Sequence, residues 1–175
     1  MAESPAGIHL KELDLDSKDD GELLQRLLAS VPGYWTLIEG GEVSAQAAVG
    51  TLAALPPLRE FTDKRVFAIC ENGFPIGCID VIRGYPNRST AMLGLLLISE
   101  ARQRTGLGTT SFELLRTWIA GAWPELEQIR IGVVAVNADA IAFWKRLGFR
   151  ENGEKRKYHA GTVESETVVL VRELG

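Results

Sequence analysis

Residues 90–98 read TAMLGLLLI, a run that is almost wholly apolar. It shows no alternation between apolar and polar positions, so as a strand it must be covered on both faces. That places it in the middle of a sheet with helices on either side. Gly94, inside the run, predicts a bulge or a close approach of another chain segment. Directly afterwards comes ARQRTGLGTT (101–110), then SFELLRTWIAGAW, whose apolar residues recur at helical spacing. A buried strand therefore turns into a helix through a loop holding Arg102, Arg104, Gly106 and Gly108.

The remaining segments build the same architecture. GIHLKEL alternates like a first strand. Asp16 or Ser17 begins a helix with Leu23, Leu24, Leu27, Leu28 and Val31 on one face. VPGYWTLIEGG reads as a loop, and Ser44 as the cap of a second helix, AQAAVGTLAAL, stopped by Pro56 and Pro57. RVFAICE and FPIGCIDVIR flank Asn72-Gly73 and predict a hairpin in which Glu71 opposes Phe74. EQIRIGVVAV is a further strand. Asn137 is expected to cap the helix ADAIAFWKRL, ended by Gly148, and two last strands close around HAGT. The 175 residues fit a single α/β domain, residues 1–175, with a mixed sheet.

Composition limits the function. Apolar residues make up 46%, and no run reaches the ~18–20 residues that span a bilayer. The first residues carry no signal-peptide pattern, so a soluble, cytoplasmic protein without a membrane partner is expected. The net charge of −4, with no basic block, argues against nucleic acid and suits a cationic substrate. Cys70 and Cys78 are not opposite each other in the hairpin and read as reduced core residues. His9 and His159 are the only histidines and form no cluster with cysteines, so no metal is expected.

The glycine loop admits two readings. A helix N-terminus presents unpaired N–H groups and about half a positive charge, and two glycines let an anion approach them. Equally, the loop can be an ordinary strand-to-helix turn. The common nucleotide motifs fail here. Gly-Lys-Ser/Thr is missing, and Thr109, Thr110 and Ser111 stand where a dinucleotide fingerprint needs its third glycine.

Two blocks together resemble a known family. QRTGLG is similar to the Gln/Arg-x-x-Gly-x-Gly/Ala loop of the GNAT superfamily of acyl-CoA-dependent N-acetyltransferases, and VNADAIAFWKRLGF to its Asn-x-x-Ala helix ending in Gly-Phe. The resemblance spans nearly the whole chain. It implies the GNAT fold: a central, mixed, mostly antiparallel twisted sheet of about six to seven strands flanked by about four helices. It also implies acetyl-CoA as co-substrate and an amine acceptor attacked directly in a ternary complex, either a small amine or a peptide N-terminus. A homodimer is compatible with it.

Carried over residue by residue, the resemblance places the backbone of Gln103, Arg104, Thr105, Gly106, Leu107, Gly108 and Thr109 at the coenzyme pyrophosphate. Leu97 and Ile98 would meet the pantetheine arm, with Asn137 and Trp144 close by. The strand from Gly94 to Ile98 would polarise the thioester carbonyl. Trp144 stands where the family often has a tyrosine acid, and an indole N–H is no useful acid. Tyr158 is the alternative acid. Glu100 reads as a capping or solvated carboxylate.

The acceptor side would be walled by Tyr34, Trp35 and Glu39, with Arg83 and Tyr85 as a second wall. Tyr85, before Pro86, also fits a plain turn. If Arg83 opposes Ala91, Asp80 opposes Gly94 and stands beside the bulge as a candidate general base. A structural pairing of Asp80 with Arg83 is the alternative. The rival function is a non-catalytic acyl-CoA sensor of the same fold; a further reading is a protein that binds no coenzyme.

Overall fold

The structure is a computed structural model that describes residues 7–175. The expected lack of a leader falls partly on residues 1–6, outside the described residues. Chain order runs β1 (Ile8–Glu12), α1 (Lys18–Ala29), α2 (Pro32–Glu39), α3 (Ala47–Ala53), β2 (Lys64–Glu71), β3 (Phe74–Arg83), β4 (Thr90–Ile98), α4 (Leu107–Ala122), β5 (Gln128–Val134), α5 (Ala138–Arg146), β6 (Arg150–Ala160) and β7 (Val163–Glu173). Short 3-10 turns cover Phe61–Asp63 and Glu100–Arg102.

All seven strands form one sheet in the order β1-β2-β3-β4-β5-β7-β6. Only β4 and β5 are parallel; every other neighbour is antiparallel. One face carries Phe67, Ile79, Val81 and Leu93, packed against Phe112, Leu115 and Ile119 of α4 and Trp144 of α5. The other carries Val66, Ala68, Cys78 and Leu97 against Leu24 and Leu28 of α1 and Trp35 of α2. The double-sided cover expected for the 90–98 strand follows from this layering.

Five α-helices are present among the described residues where about four were expected, because residues 32–39 are a helix and not a loop. Pro32 occupies the first turn, where its missing N–H costs nothing, and Gly40 ends the helix at φ 78°. What reads as a pair of breakers is a start and a stop. Ser44 does not cap α3: its Oγ accepts from the N–H of Gln46 at 3.1 Å in a local turn, and the helix begins only at Ala47. Ser17 does cap α1, accepting from the N–H of Asp20 at 3.3 Å.

The β3–β4 register differs by one residue from expectation. Arg83 opposes Ala91 and Val81 opposes Leu93, but Asp80 opposes Leu95. Gly94 is the extra residue, a bulge that shifts everything beyond it. Pairing between β4 and β5 ends at Leu93 and Ile131, although the strands continue to Ile98 and Val134. The sheet is thus split from Gly94 onward.

The β6–β7 turn docks on the last turn of α2. The N–H of Thr162 donates to the carbonyl of Glu39 at 3.0 Å, and Tyr158 Oη donates to the carbonyl of Ile38, also at 3.0 Å. Gly161 has φ 55°, and a Cβ there would overlap the Glu39 carbonyl. Gly161→Ala is therefore expected to cost about 1–3 kcal/mol, read as a fall of several degrees in Tm at about 2–4 °C per kcal/mol. An unchanged melting temperature would show that this docking contributes nothing.

Candidate active site

A cavity of about 690 Å³ opens on the α1–α3 face of the sheet. Its floor is Asp80 and Ile82 of β3 with Met92, Gly94 and Leu95 of β4. The bulge explains that floor. In a regular strand Gly94 and Leu95 would face opposite sides, whereas here both reach the cavity. Trp35 and Glu39 of α2, together with α3, form one wall, and Tyr85 and Arg156 lie on the rim.

Asp80 is the buried carboxylate of this floor, 6% exposed. A Cβ on Gly94 would lie 2.8 Å from its Oδ2, so glycine is what admits the carboxylate there. Lys64 Nζ donates to its Oδ1 at 2.8 Å and to the carbonyl of Ala54 at 3.0 Å. Burial pushes the Asp80 carboxyl above the usual carboxylate range, and the Lys64 ammonium pulls it part of the way back. Pairing with Arg83 does not occur: Arg83 Nε bonds Glu125 Oε1 at 2.5 Å.

Lys64 escaped the sequence reading for a geometric reason. Extrapolated from Glu71 and Phe74, the hairpin sets Asp80 against Arg65. A bulge between Ile69 and Cys70 moves Asp80 opposite Val66 instead, and Lys64 reaches it from the same face. The available signal was a lysine in phase with Val66, Ala68 and Cys70, all on the covered face.

The other acceptor-side residues divide. Trp35 lines the cavity, and its Nε1 donates to the carbonyl of Leu28 at 2.7 Å, so it also fastens α2 to α1. Glu39 lines the cavity and makes no ion pair among the described residues. Tyr34 does not line it; the ring stands edge-on to Trp35 at 5.0 Å, and burial drives its phenol far above the ordinary range. Tyr158 is likewise behind the wall, with its hydroxyl on the Ile38 carbonyl and its phenol raised by burial and by the charge of Glu39. Tyr85 serves both readings, since its N–H closes the turn on the Thr90 carbonyl at 3.0 Å while the residue faces the cavity.

The glycine loop lies beyond the split. None of the N–H groups from Arg104 to Thr109 donates to a described residue, and α4 has no side-chain cap. Arg104 at φ 61° and Gly106 at φ 86° turn the chain so that this run leads into the helix. Such a row of free donors at a helix start fits an anion. Two details depart from expectation. The N–H of Gln103 already donates to the Glu100 carbonyl at 3.3 Å, and the Gln103 side chain donates to the Ile98 carbonyl at 2.9 Å. Arg102 pairs with Glu71, while Arg104 is exposed and 3.9 Å from Asp139.

Behind the loop, a Cβ at Gly108 would stand 3.2 Å from Phe143, so this glycine sets the approach of α5. Trp144 is buried and edge-on to Phe112, Phe143 and Phe149 at 4.9–5.6 Å. Asn137 caps α5, its Oδ1 accepting from the N–H of Ala140 at 3.1 Å. Glu100 is a capping carboxylate: its Oε1 accepts from the N–H of Gly33 in the first turn of α2 at 2.6 Å.

The model of the acetyltransferase (GNAT) family matches residues 45–149. Among solved structures, an acetyltransferase from Thermus thermophilus is 26% identical, with TM-score 0.71 over 95% of this chain and 96% of its own. An acetyl transferase of Salmonella typhimurium that modifies the N-terminal serine of ribosomal protein L7/L12 is 15% identical, with TM-score 0.76 over 97% and 96%. Spermidine N-acetyltransferase from Vibrio cholerae, solved with CoA and spermine, is 15% identical, with TM-score 0.72 over 96% of each chain. No curated protein matches significantly. Among the described residues no helix is long and apolar enough to cross a membrane.

The Lys64–Asp80 pair can be tested apart from any reaction. Lys64→Met strands a buried carboxylate and is expected to cost about 3–5 kcal/mol near neutral pH. The mutant's Asp80 carboxyl, deprived of the ammonium, then titrates still higher in the folded state than in the unfolded one. The folded state binds the extra proton, so the loss shrinks as pH falls through that folded value. Urea unfolding at several pH values measures it; a loss that does not depend on pH would mean that Asp80 is not the group stranded.

Proposed function

The chain belongs to the acetyltransferase (GNAT) family, and on that premise we propose that it moves the acetyl group of acetyl-CoA to a primary amine by direct attack in a ternary complex. The observation that supports this best is the split of β4 from β5 at Gly94. It runs from a cavity with a buried carboxylate to a loop of free N–H groups.

In this reading the backbone of Arg104, Thr105, Gly106, Leu107, Gly108 and Thr109 holds the pyrophosphate of the coenzyme. Leu97 and Ile98 line the pantetheine path, with Asn137 and Trp144 packing close by. Bound acetyl-CoA supplies an acetyl group activated as a thioester, with a thiol as leaving group. Backbone N–H groups of Gly94–Ile98, which β5 does not pair, polarise its carbonyl.

Asp80 accepts the proton that an incoming ammonium must lose before it can attack. Burial suits it to that task by raising its proton affinity, and Lys64 Nζ holds one oxygen so that Oδ2 is left beside Gly94. Glu39 attracts the cationic acceptor. Trp144 supplies no proton; a thiolate of pKa near 8.5 takes one from water at modest cost. Tyr158 is the second acid in this scheme, and to act it must give up its bond to Ile38.

Two variants test the reading. Asp80→Asn is expected to lower kcat/KM by roughly 10², the worth of a general base, with acetyl-CoA affinity retained. Near-normal turnover would assign the proton to solvent. A Cβ at Gly106 would meet no protein atom within 4 Å, so the folding cost of Gly106→Val comes chiefly from the left-handed φ. At ligand near 100 times Kd, wild type gains about 2.7 kcal/mol from acetyl-CoA; the variant is expected to lose most of that gain. An equal gain in a folded variant would make the loop a plain turn.

A further inference from the structure

The two charges that face the acceptor cavity without cancelling each other have opposite sign. Glu39, on the α2 wall, meets no cation among the described residues. Asp80 on the floor is neutralised by Lys64. Across the rim, Arg156 meets a single carboxylate, Glu154, through Nε at 2.8 Å and Nη2 at 2.6 Å. That carboxylate is shared: Arg130 grips both its oxygens, at 2.8 and 2.9 Å. Arg130 is buried, and its fork is planar and bidentate, so Glu154 belongs chiefly to it. Two guanidinium groups on one carboxylate leave a net charge of one positive, and Arg156, with more than half its side chain in solvent, is the member that carries it toward the cavity. The pair of arginines holds the Glu154 carboxyl down at about 2, so protonation does not alter this balance at ordinary pH. Tyr85 stands beside Arg156 and offers a phenol on the same rim.

We propose that the acceptor is an amino acid, an amine that also carries a carboxylate, and that Arg156 is the residue that selects it. This rests on the amine-acetylating reading of the cavity. Glu39 and the floor take the ammonium end, and Arg156 takes the monoanionic carboxylate, whose single charge balances the single excess charge of the arginine cluster. A diamine or polyamine fills the cavity equally well but sets its second ammonium against Arg156, and like charges there count against it. A volume of about 690 Å³ lies within the range of small-molecule sites.

The experiment compares an amino acid, its carboxamide and a diamine of equal length, with wild type and Arg156→Gln. Each is measured twice: by thermal shift in the presence of CoA, and by turnover with acetyl-CoA. Expected in wild type is stabilisation and turnover by the amino acid at concentrations at least roughly tenfold lower than for the carboxamide or the diamine, the worth of one charge-assisted hydrogen bond. Arg156→Gln should erase the preference by raising KM for the amino acid while kcat for the carboxamide and CoA binding stay as they were. Arg156→Lys, which keeps charge without the fork, should restore part of it, and Arg156→Glu should turn the preference toward the diamine. The proposal is overturned if wild type binds the amino acid no better than its carboxamide, or if Arg156→Gln weakens all three ligands alike. Preference in the thermal shift without turnover of any of them would leave Arg156 as the selector and defeat the transferase reading instead.

Discussion

The site depends on one irregularity, the extra residue that Gly94 adds to β4. Up to Leu93 the sheet is continuous from β1 to β6. Past the bulge, three things change together. The phase of β4 flips, so that Gly94 and Leu95 both reach the cavity; room opens for the Asp80 carboxylate; and β4 leaves β5. A side chain at Gly94 would collide with Asp80, and a regular strand would turn Leu95 into the α4 layer. Fold and site are therefore not separate achievements of this chain. The same residue that interrupts the ladder makes the opening.

Charge is handled differently at the two ends of the opening. Around the glycine loop, among the described residues, there are donors without side-chain acceptors, and no cation is committed to the row: Arg102 is held by Glu71 and Arg104 stands in solvent. The field there is that of backbone dipoles at the start of α4. At the cavity the charges are side chains, and most are compensated in place. Lys64 with Asp80, and Arg130 with Glu154, are buried cations each held by a carboxylate, Asp80 on the cavity floor and Glu154 behind Arg156. Burying either charge alone would be costly, and in each pair one partner makes a further bond, Lys64 to the Ala54 carbonyl and Glu154 to Arg156.

Much of this was legible in the residues. The two-sided apolar run 90–98, the Asn72-Gly73 hairpin and the Ser17 and Asn137 caps all depend on local chemistry, which a sequence displays directly. The glycine at 94 announced its bulge. What it could not announce was the side to which the register moves, and so Asp80 came out one place from its partner. Lys64 was hidden by a second bulge, in the β2–β3 pair beside the one that holds Gly94. The α2 helix was missed because Pro32 and Gly40 are ambiguous punctuation: the same residues open and close a helix or break one, and packing of Trp35 and Ile38 into the core decides. Arg156 lay in a stretch, EKRKY, whose charges look like a solvated face. Only the fold reveals that it shares an anion with a buried arginine from another strand.

Glu100 links the two ends. Its carboxylate satisfies a free N–H at the start of α2, its own N–H bonds the carbonyl of Ser30, and a few residues later the chain enters the donor loop. At its far end α2 carries Glu39, held by the turn between β6 and β7. The helix is thus a strut pinned at both ends, one pin set by the turn that precedes the donor loop and the other by the C-terminal hairpin. Transplanting either half of the opening onto another scaffold would cut a pin and let the strut rotate, so the donor loop and the cavity wall can be exchanged only as one piece.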